Sequence, residues 1–244
     1  ITGASDDDPS GIATYSQTGA LFGFGQAWTA LFSLTFMTAI QEMCGRIGLV
    51  TGKGLAGVIK DHYSKKILYA VVLLLFTANI INIGADLGAM AVSAQLIFGL
   101  PFIFWLMGMV IVTLMLEIFV SYKVYAKYLK YLTFALFAYV ITAFTIKIDW
   151  SQLAIATLIP HIVLSREYIF NIVAILGTTI SPYLFFWQTS QEVEEQILEG
   201  KTTLKLRREE TTKQEVVNMR TDVWSGMFLS NLVMLFIIAA CGAT

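Results

Sequence analysis

Long uncharged stretches separated by short polar connections dominate the chain. Residues 9–41 carry no charge at all, too long a run for one membrane span of about 20 residues. Phe22-Gly23-Phe24-Gly25 punctuates it, so it divides into a short helix from about Gly11 and a second helix reaching about Cys44. A third span covers residues 67–97 and contains Asp86, and Gly99-Leu100-Pro101 turns the chain into a fourth over 102–120. Residues 131–146, 168–191 and 223–243 supply a fifth, sixth and seventh. The pattern predicts an all-α integral membrane protein.

Composition agrees. Of 244 residues, 57% are apolar and only 14% charged, against about 25% charged in a soluble domain. The net charge of −1 leaves no basic surplus to neutralise phosphates, which excludes nucleic acid as a partner. Four prolines and eighteen glycines exclude low-complexity disorder. Cys44 and Cys241 both fall in apolar stretches and form neither a disulfide framework nor a zinc spacing. His62 and His161 lie in the connections, where a solvated ring is the simplest reading. Apolar segments continue to the last residues, unlike a secretory signal followed by a soluble domain.

The basic residues set an expected orientation, because lysine and arginine concentrate on the cytoplasmic side. Alternate connections hold Arg46, Lys53, Lys60, Lys65 and Lys66; then Lys123, Lys127 and Lys130; then Lys201, Lys205, Arg207, Arg208, Lys213 and Arg220. Only Lys147 and Arg166 lie elsewhere. This places the N-terminus in the cytoplasm, in what is expected to be a bacterial inner membrane. The chain begins with Ile1 and ends at the tip of a span, so a fragment of a longer protein is expected.

Four polar features break the apolar pattern, and intramembrane polar groups are functional candidates by default. The first is Ser5-Asp6-Asp7-Asp8-Pro9-Ser10-Gly11. A solvated loop with proline in the first helical turn would explain it. So would a broken helix, whose freed carbonyls and adjacent carboxylate offer hard oxygen to a cation. The second is Gly177-Thr178-Thr179-Ile180-Ser181-Pro182-Tyr183 in the sixth span. Pro182 removes one helical bond and displaces the Thr178 carbonyl, as a plain kink or as the partner of the first break. Paired broken helices are the best sequence pointer to a transporter's midplane site.

The third feature places Asn79, Asn82 and Asp86 on one face of span three. Interhelical hydrogen bonds account for the asparagines, but a lone mid-span aspartate needs a partner. The fourth is Gln188-Thr189-Ser190-Gln191-Glu192-Val193-Glu194-Glu195. It reads as the sixth helix reaching water, or as an acidic helix end that attracts cations.

These residues resemble the natural resistance-associated macrophage protein (Nramp) family of divalent-metal transporters. Asp8-Pro9-Ser10-Gly11 resembles the family's Asp-Pro-Gly-Asn break in span one, and Gly177 to Tyr183 resembles its Gly-Ala-Thr to Met-Pro-His run in span six. Arg46-Ile47-Gly48-Leu49-Val50-Thr51-Gly52-Lys53-Gly54-Leu55-Ala56 is similar to the segment after span two, and Asp86-Leu87-Gly88-Ala89 to the Asp-Leu-Ala-Glu of span three. Ile159-Pro160-His161 precedes a span rather than interrupting it, and is a decoy.

The resemblance implies a LeuT-type fold of inverted repeats. Here it would comprise spans one to seven, with residues 1–150 as the first repeat and 151–244 as an external loop and the start of the second. It implies a metal held between the breaks of spans one and six, with Asp8 as principal ligand and backbone carbonyls at Ser5 and Thr178. Ser181 stands where the family has methionine, and Gly11 where it has asparagine. Asp6, Asp7, Asp86, Tyr183 and Gln188 are possible accessory or ion-path residues.

Methionine is a soft ligand that favours transition metals. A roomier oxygen-only site suits magnesium, which keeps several waters. Tyr183 and Gln188 replace the family's span-six histidines, and Ala89 its span-three glutamate. Tyrosine and glutamine do not cycle a proton near neutral pH. The expectation is a monomeric transporter of Mg²⁺ and/or Mn²⁺ with no cofactor, working without obligatory proton coupling. The alternatives are a proton-coupled Mn²⁺/Fe²⁺ importer and, from another class, a metal-dependent membrane enzyme using Asp6, Asp7 and Asp8.

Overall fold

In the computed structural model, which describes residues 7–120 and 133–244, the uncharged stretches fold into helices. No strand occurs among the described residues. In chain order the helices are α1 (Pro9–Phe22), α2 (Trp28–Thr51), α3 (Leu55–His62), α4 (Lys65–Phe98) and α5 (Phe102–Phe119). A short 3-10 turn (Thr133–Leu136) leads into α6 (Phe137–Thr145), α7 (Trp150–Leu158) and α8 (Arg166–Thr179). The chain continues through α9 (Pro182–Leu198), α10 (Leu204–Glu209) and α11 (Lys213–Gly242).

Among the described residues four segments are long and apolar enough to cross a membrane: Lys65–Phe98, Phe102–Phe119, Arg166–Leu198 and Lys213–Gly242. At 1.5 Å per residue the 14 residues of α1 reach about 21 Å, short of a hydrocarbon core of about 30 Å. That length suits half of an interrupted span. Large apolar side chains such as Leu73, Leu74, Ile81, Leu96 and Ile103 are exposed on α4 and α5. An apolar exposed face on such helices suits lipid rather than water as its surroundings.

Several boundaries differ from the sequence expectation. The second helix runs on to Thr51 rather than Cys44, because Arg207 and Arg208 cap its end. Arg207 Nε donates to the Gly52 carbonyl at 3.0 Å and Arg208 Nε to the Thr51 carbonyl at 2.9 Å. The seventh helix begins ten residues before the expected Val223, at Lys213. The connections also contain α3, α7 and α10, whose 6–9 residues are too short to dominate a hydropathy profile. The beginning of the fifth span and the connection with Lys123, Lys127 and Lys130 lie outside the described residues.

The chain divides into two compact units. The first comprises residues 31–79 and 176–231 among those described. Its core gathers Met37, Leu49, Leu184, Met219, Val223 and Met227. Close backbone approach here requires glycine: a Cβ on Gly48 of α2 would sit 2.6 Å from the Thr189 carbonyl of α9. Small residues at helix contacts are the usual solution where lipid gives no hydrophobic drive to pack.

The second unit comprises, among the described residues, 7–30, 80–120, 133–175 and 232–244. Tyr15, Ala27, Ala30, Ile175, Val233, Met234, Ile237 and Ile238 form its core. Gly19 lets α1 pack against the end of α11, where an added Cβ would meet the Ile238 carbonyl at 2.5 Å. Gly23, with φ of +56°, ends α1 in a backbone conformation that glycine adopts without steric cost. The turn after it is clamped by polar side chains. Gln26 donates to the Tyr168 carbonyl at 3.0 Å, and Asn171 donates to Thr18 and to Gln26.

Candidate functional site

Each unit carries one of the two proline-marked features, the helix start at Pro9 and the break before Pro182. In the second unit, Asp8 is the N-cap of α1, extended in backbone and followed by Pro9 in the first helical turn. Asp8 Oδ1 accepts from the Gly11 N–H at 2.6 Å and from Ser10 Oγ at 2.8 Å. This is ordinary capping chemistry. Its second oxygen is used differently: Asn82 Nδ2, on α4, donates to Asp8 Oδ2 at 3.1 Å.

The same Asn82 nitrogen donates to Asp86 Oδ2 at 2.9 Å, and the Ser10 N–H donates to Asp86 Oδ1 at 3.0 Å. Asp86, the mid-span aspartate that needed a partner, therefore has two. Ser10 and Asn82 together tie the carboxylates of Asp8 and Asp86 into one network. All four side chains offer hard oxygen and none offers sulfur or imidazole. The remaining positions of the first feature are less informative. Asp7 is half-buried, while Ser5 and Asp6 lie outside the described residues.

The first unit holds the second interruption. Helix α8 ends at Thr179 and α9 begins at Pro182, leaving Ile180 and Ser181 between them. Ser181 is fully buried, and its Oγ donates to the Thr178 carbonyl at 2.6 Å. That is the carbonyl whose helical donor proline removes, so serine replaces the lost N–H locally. Thr178 Oγ1 is buried without a hydrogen-bond partner, which leaves a hydroxyl at the break. Tyr183 packs at the margin of the unit's core.

Gln188 lies further along α9, almost fully buried. It accepts from Gln41 Nε2 at 2.9 Å and donates through its own Nε2 to Glu192. The run from Gln188 to Glu195 stays helical, since α9 continues to Leu198, and it is two-faced, with Ser190, Glu194 and Glu195 exposed. Gln188, Thr189, Glu192 and Gln196 are buried along one face, where α2 covers them: Thr189 Oγ1 donates to the Cys44 carbonyl at 3.2 Å.

Sequence reasoning named Asp8 and Asp86 but left out Ser10 as a bridging residue and gave Asn82 no tie to Asp8. Only the local half of each tie was signalled. Serine two positions after an N-cap aspartate is placed to bond it, and Asn82 sits one helical turn before Asp86. Gln41 and Gln196 carried no such signal, since their partners are distant in the chain.

The whole chain, residues 1–244, matches the family described as natural resistance-associated macrophage protein-like. The chain belongs to the Nramp family. Its relatives include the divalent metal cation transporter MntH of two strains of Klebsiella pneumoniae, strain ATCC 700721 / MGH 78578 and strain 342. Each is 27% identical over 196 residues, covering 75% of this chain and 45% of the relative. The chain thus spans about half the length of the curated relatives it matches. Nramp membership agrees with the all-helical architecture and with a LeuT-type fold of which these helices are a part. It makes this an integral membrane protein and removes the enzyme reading of the Asp6 to Asp8 cluster.

Proposed function

We propose that the full-length protein is a facilitative divalent-cation transporter that prefers Mg²⁺, accepts Mn²⁺, and works by alternating access. The observation that carries this reading is the coupling of Asp8 to Asp86 through Asn82 and Ser10. Drawing two carboxylates together is unfavourable in itself, and a divalent cation is the ligand that repays it. The donors are oxygen, which suits hard cations. The MntH relatives are named divalent metal cation transporters, and this chain shares their family.

Asp8 is the principal ligand in this proposal, with Gly11, Ser5, the Thr178 carbonyl and Ser181 carried over from the family resemblance as further contributors. Asp6 and Asp7 attract cations to the first break. Residues 1–150 form the first inverted repeat and 151–244 the beginning of the second, in a monomer with its N-terminus in the cytoplasm of a bacterial cell.

The absence of obligatory proton coupling rests on Tyr183 and Gln188. Gln188 is held in an amide chain that gives it no titrating role. A second reading, proton-coupled Mn²⁺/Fe²⁺ import, draws support from the direct hydrogen-bonded link between Asp86 and the helix that carries Asp8.

Uptake into proteoliposomes tests both. Mg²⁺ flux is expected in the wild type and lost in Asp8→Ala; flux unchanged by that substitution overturns the proposed site. Flux that collapses without a pH gradient overturns the uncoupled mechanism and favours the second reading.

A further inference from the structure

In the first unit, charge stops at one level on both α2 and α11. Residues 9–41 carry none before Glu42 of α2, and residues 223–243 carry none after Asp222 of α11. Glu42 joins the two helices at that level. Arg46 Nη2 donates to Glu42 Oε1 at 3.0 Å. Arg220 Nε of α11 stands 3.2 Å from Glu42 Oε2, and Trp224 Nε1 donates to the same oxygen at 3.1 Å.

The charges at this seam do not cancel. One carboxylate meets two guanidiniums, which leaves one positive charge over. Asp222 does not supply the missing acid, since two residues on from Arg220 is about 200° round the helix, and it lines the cleft toward α9. Accessibility is divided in the same sense. The Glu42 side chain is 15% exposed, whereas those of Arg46 and Arg220 are 56% and 59% exposed. Among the described residues each arginine spends one nitrogen on Glu42 and keeps its other N–H donors accessible.

The surroundings fix the depth of the seam. At 1.5 Å per residue the uncharged run 223–243 of α11 covers about 31 Å, the thickness of a hydrocarbon core. Trp224 opens that run, at the headgroup level where tryptophan collects, and Arg220 lies one turn outside it. On the membrane side of the arginines the exposed stripes turn apolar, with Phe36 and Met43 on α2 and Trp224 and Phe228 on α11. Unpaired guanidinium donors thus sit directly above a pair of lipid-facing apolar stripes.

We propose that the seam between α2 and α11 binds an anionic phospholipid, its phosphodiester held by Arg46 and Arg220 and its acyl chains lying along Met43, Trp224 and Phe228. A phosphodiester carries the single negative charge that the seam lacks, and its oxygens match the planar donor fork of arginine. Basic sites between spanning helices are a recurring mode of lipid headgroup recognition. The seam shares no residue with the Asp8 network or with the break before Pro182, so its failure would leave the transport reading untouched.

Native mass spectrometry of the full-length protein in detergent, with dioctanoyl phosphatidylglycerol or dioctanoyl phosphatidylcholine added, tests this by counting bound lipid. The wild type is expected to prefer phosphatidylglycerol about fivefold, the worth of one charge pair at 4 Å even with water-like screening. Arg46→Gln with Arg220→Gln brings the two lipids to parity. Arg46→Lys with Arg220→Lys keeps the charge and the pairing with Glu42, and retains part of the preference. Lys60→Gln with Lys66→Gln removes as much charge from exposed lysines of the same unit and leaves the preference unchanged. Parity in the wild type overturns the site, and so does an equal loss in the lysine-to-glutamine control, which would make the attraction diffuse. Displacement of the lipid by inorganic phosphate alone would make this a free-anion site and overturn the lipid assignment. A glutamine double variant that melts lower in lipid-free detergent, with no lipid preference in the wild type, would place another segment of the protein on the seam and overturn it too.

Discussion

Asn82 donates its amide nitrogen to Asp8 Oδ2 at 3.1 Å, across 74 residues of sequence. The same nitrogen serves Asp86 at 2.9 Å, so one neutral side chain holds two acidic ones in register. Hydrogen bonds to charged groups contribute about 1.5–3 kcal/mol each. Asn82→Ala removes both while leaving two carboxylates to repel one another. The expected outcome is a rise of about tenfold or more in the KM for Mg²⁺ uptake, with the protein still folded. Asn79→Ala is the control, because Asn79 makes none of these bonds although sequence spacing places it on the same face. Equal effects from the two substitutions would remove Asn82 from the site.

The buried Ser181 hydroxyl satisfies the Thr178 carbonyl at the break before α9. Ser181→Ala takes that donor away and is expected to cost about 1–3 kcal/mol. At about 2–4 °C per kcal/mol for a chain of this size, the loss is legible in a melting curve of the detergent-solubilised protein. Ser181→Met instead restores a thioether. Under the proposed function it shifts binding toward Mn²⁺ relative to Mg²⁺, measured by calorimetry with each ion. An unchanged ratio would show that Ser181 does not set selectivity.

Helix packing in the first unit yields a contrast between two neighbouring glycines. An added Cβ on Gly48 meets Thr189 backbone at 2.6 and 3.2 Å, whereas on Gly45 it meets the end of the Met219 side chain at 2.8 Å. Methionine moves aside and backbone does not. Gly48→Ala is therefore expected to destabilise by about 1–3 kcal/mol and Gly45→Ala by distinctly less. Thermal unfolding of the two variants side by side gives the comparison, and an inverted order would contradict the close approach of α2 to α9.

What the sequence disclosed follows from the range of each interaction. Charge-free runs marked α4, α5 and the α8 to α9 pair within a few residues, because lipid acts on every residue of a span. Pro9 marked the start of α1 and Pro182 the break between α8 and α9, because the missing N–H is a local fact. The helix ends at Thr51 and Leu198 were not legible. Thr51 is capped by Arg207 and Arg208, more than 150 residues on, and the burial of one face of the end of α9 shows only when α2 is laid against it. For the same reason Asp86 could be recognised as needing a partner while Ser10 could not be named as one.

Gln188 offers the sharpest test of the uncoupled mechanism. It bridges Gln41 and Glu192 as an amide, at the position where the family resemblance places a histidine. An amide binds no proton between pH 5 and 8, whereas histidine has an unperturbed pKa of about 6.5. Gln188→His can still accept from Gln41 through one ring nitrogen and donate to Glu192 through the other, so the fold is retained. Below about pH 6.5 the ring becomes cationic, loses its acceptor toward Gln41 and adds a positive charge beside the acidic end of α9. Cation uptake is then expected to fall as pH drops through that range, giving an inflection additional to the wild-type profile. Initial rates of Mn²⁺ uptake into proteoliposomes between pH 5.5 and 7.5 read this directly. A profile identical to the wild type would place Gln188 off the ion path and leave its role as structural support between α2 and α9.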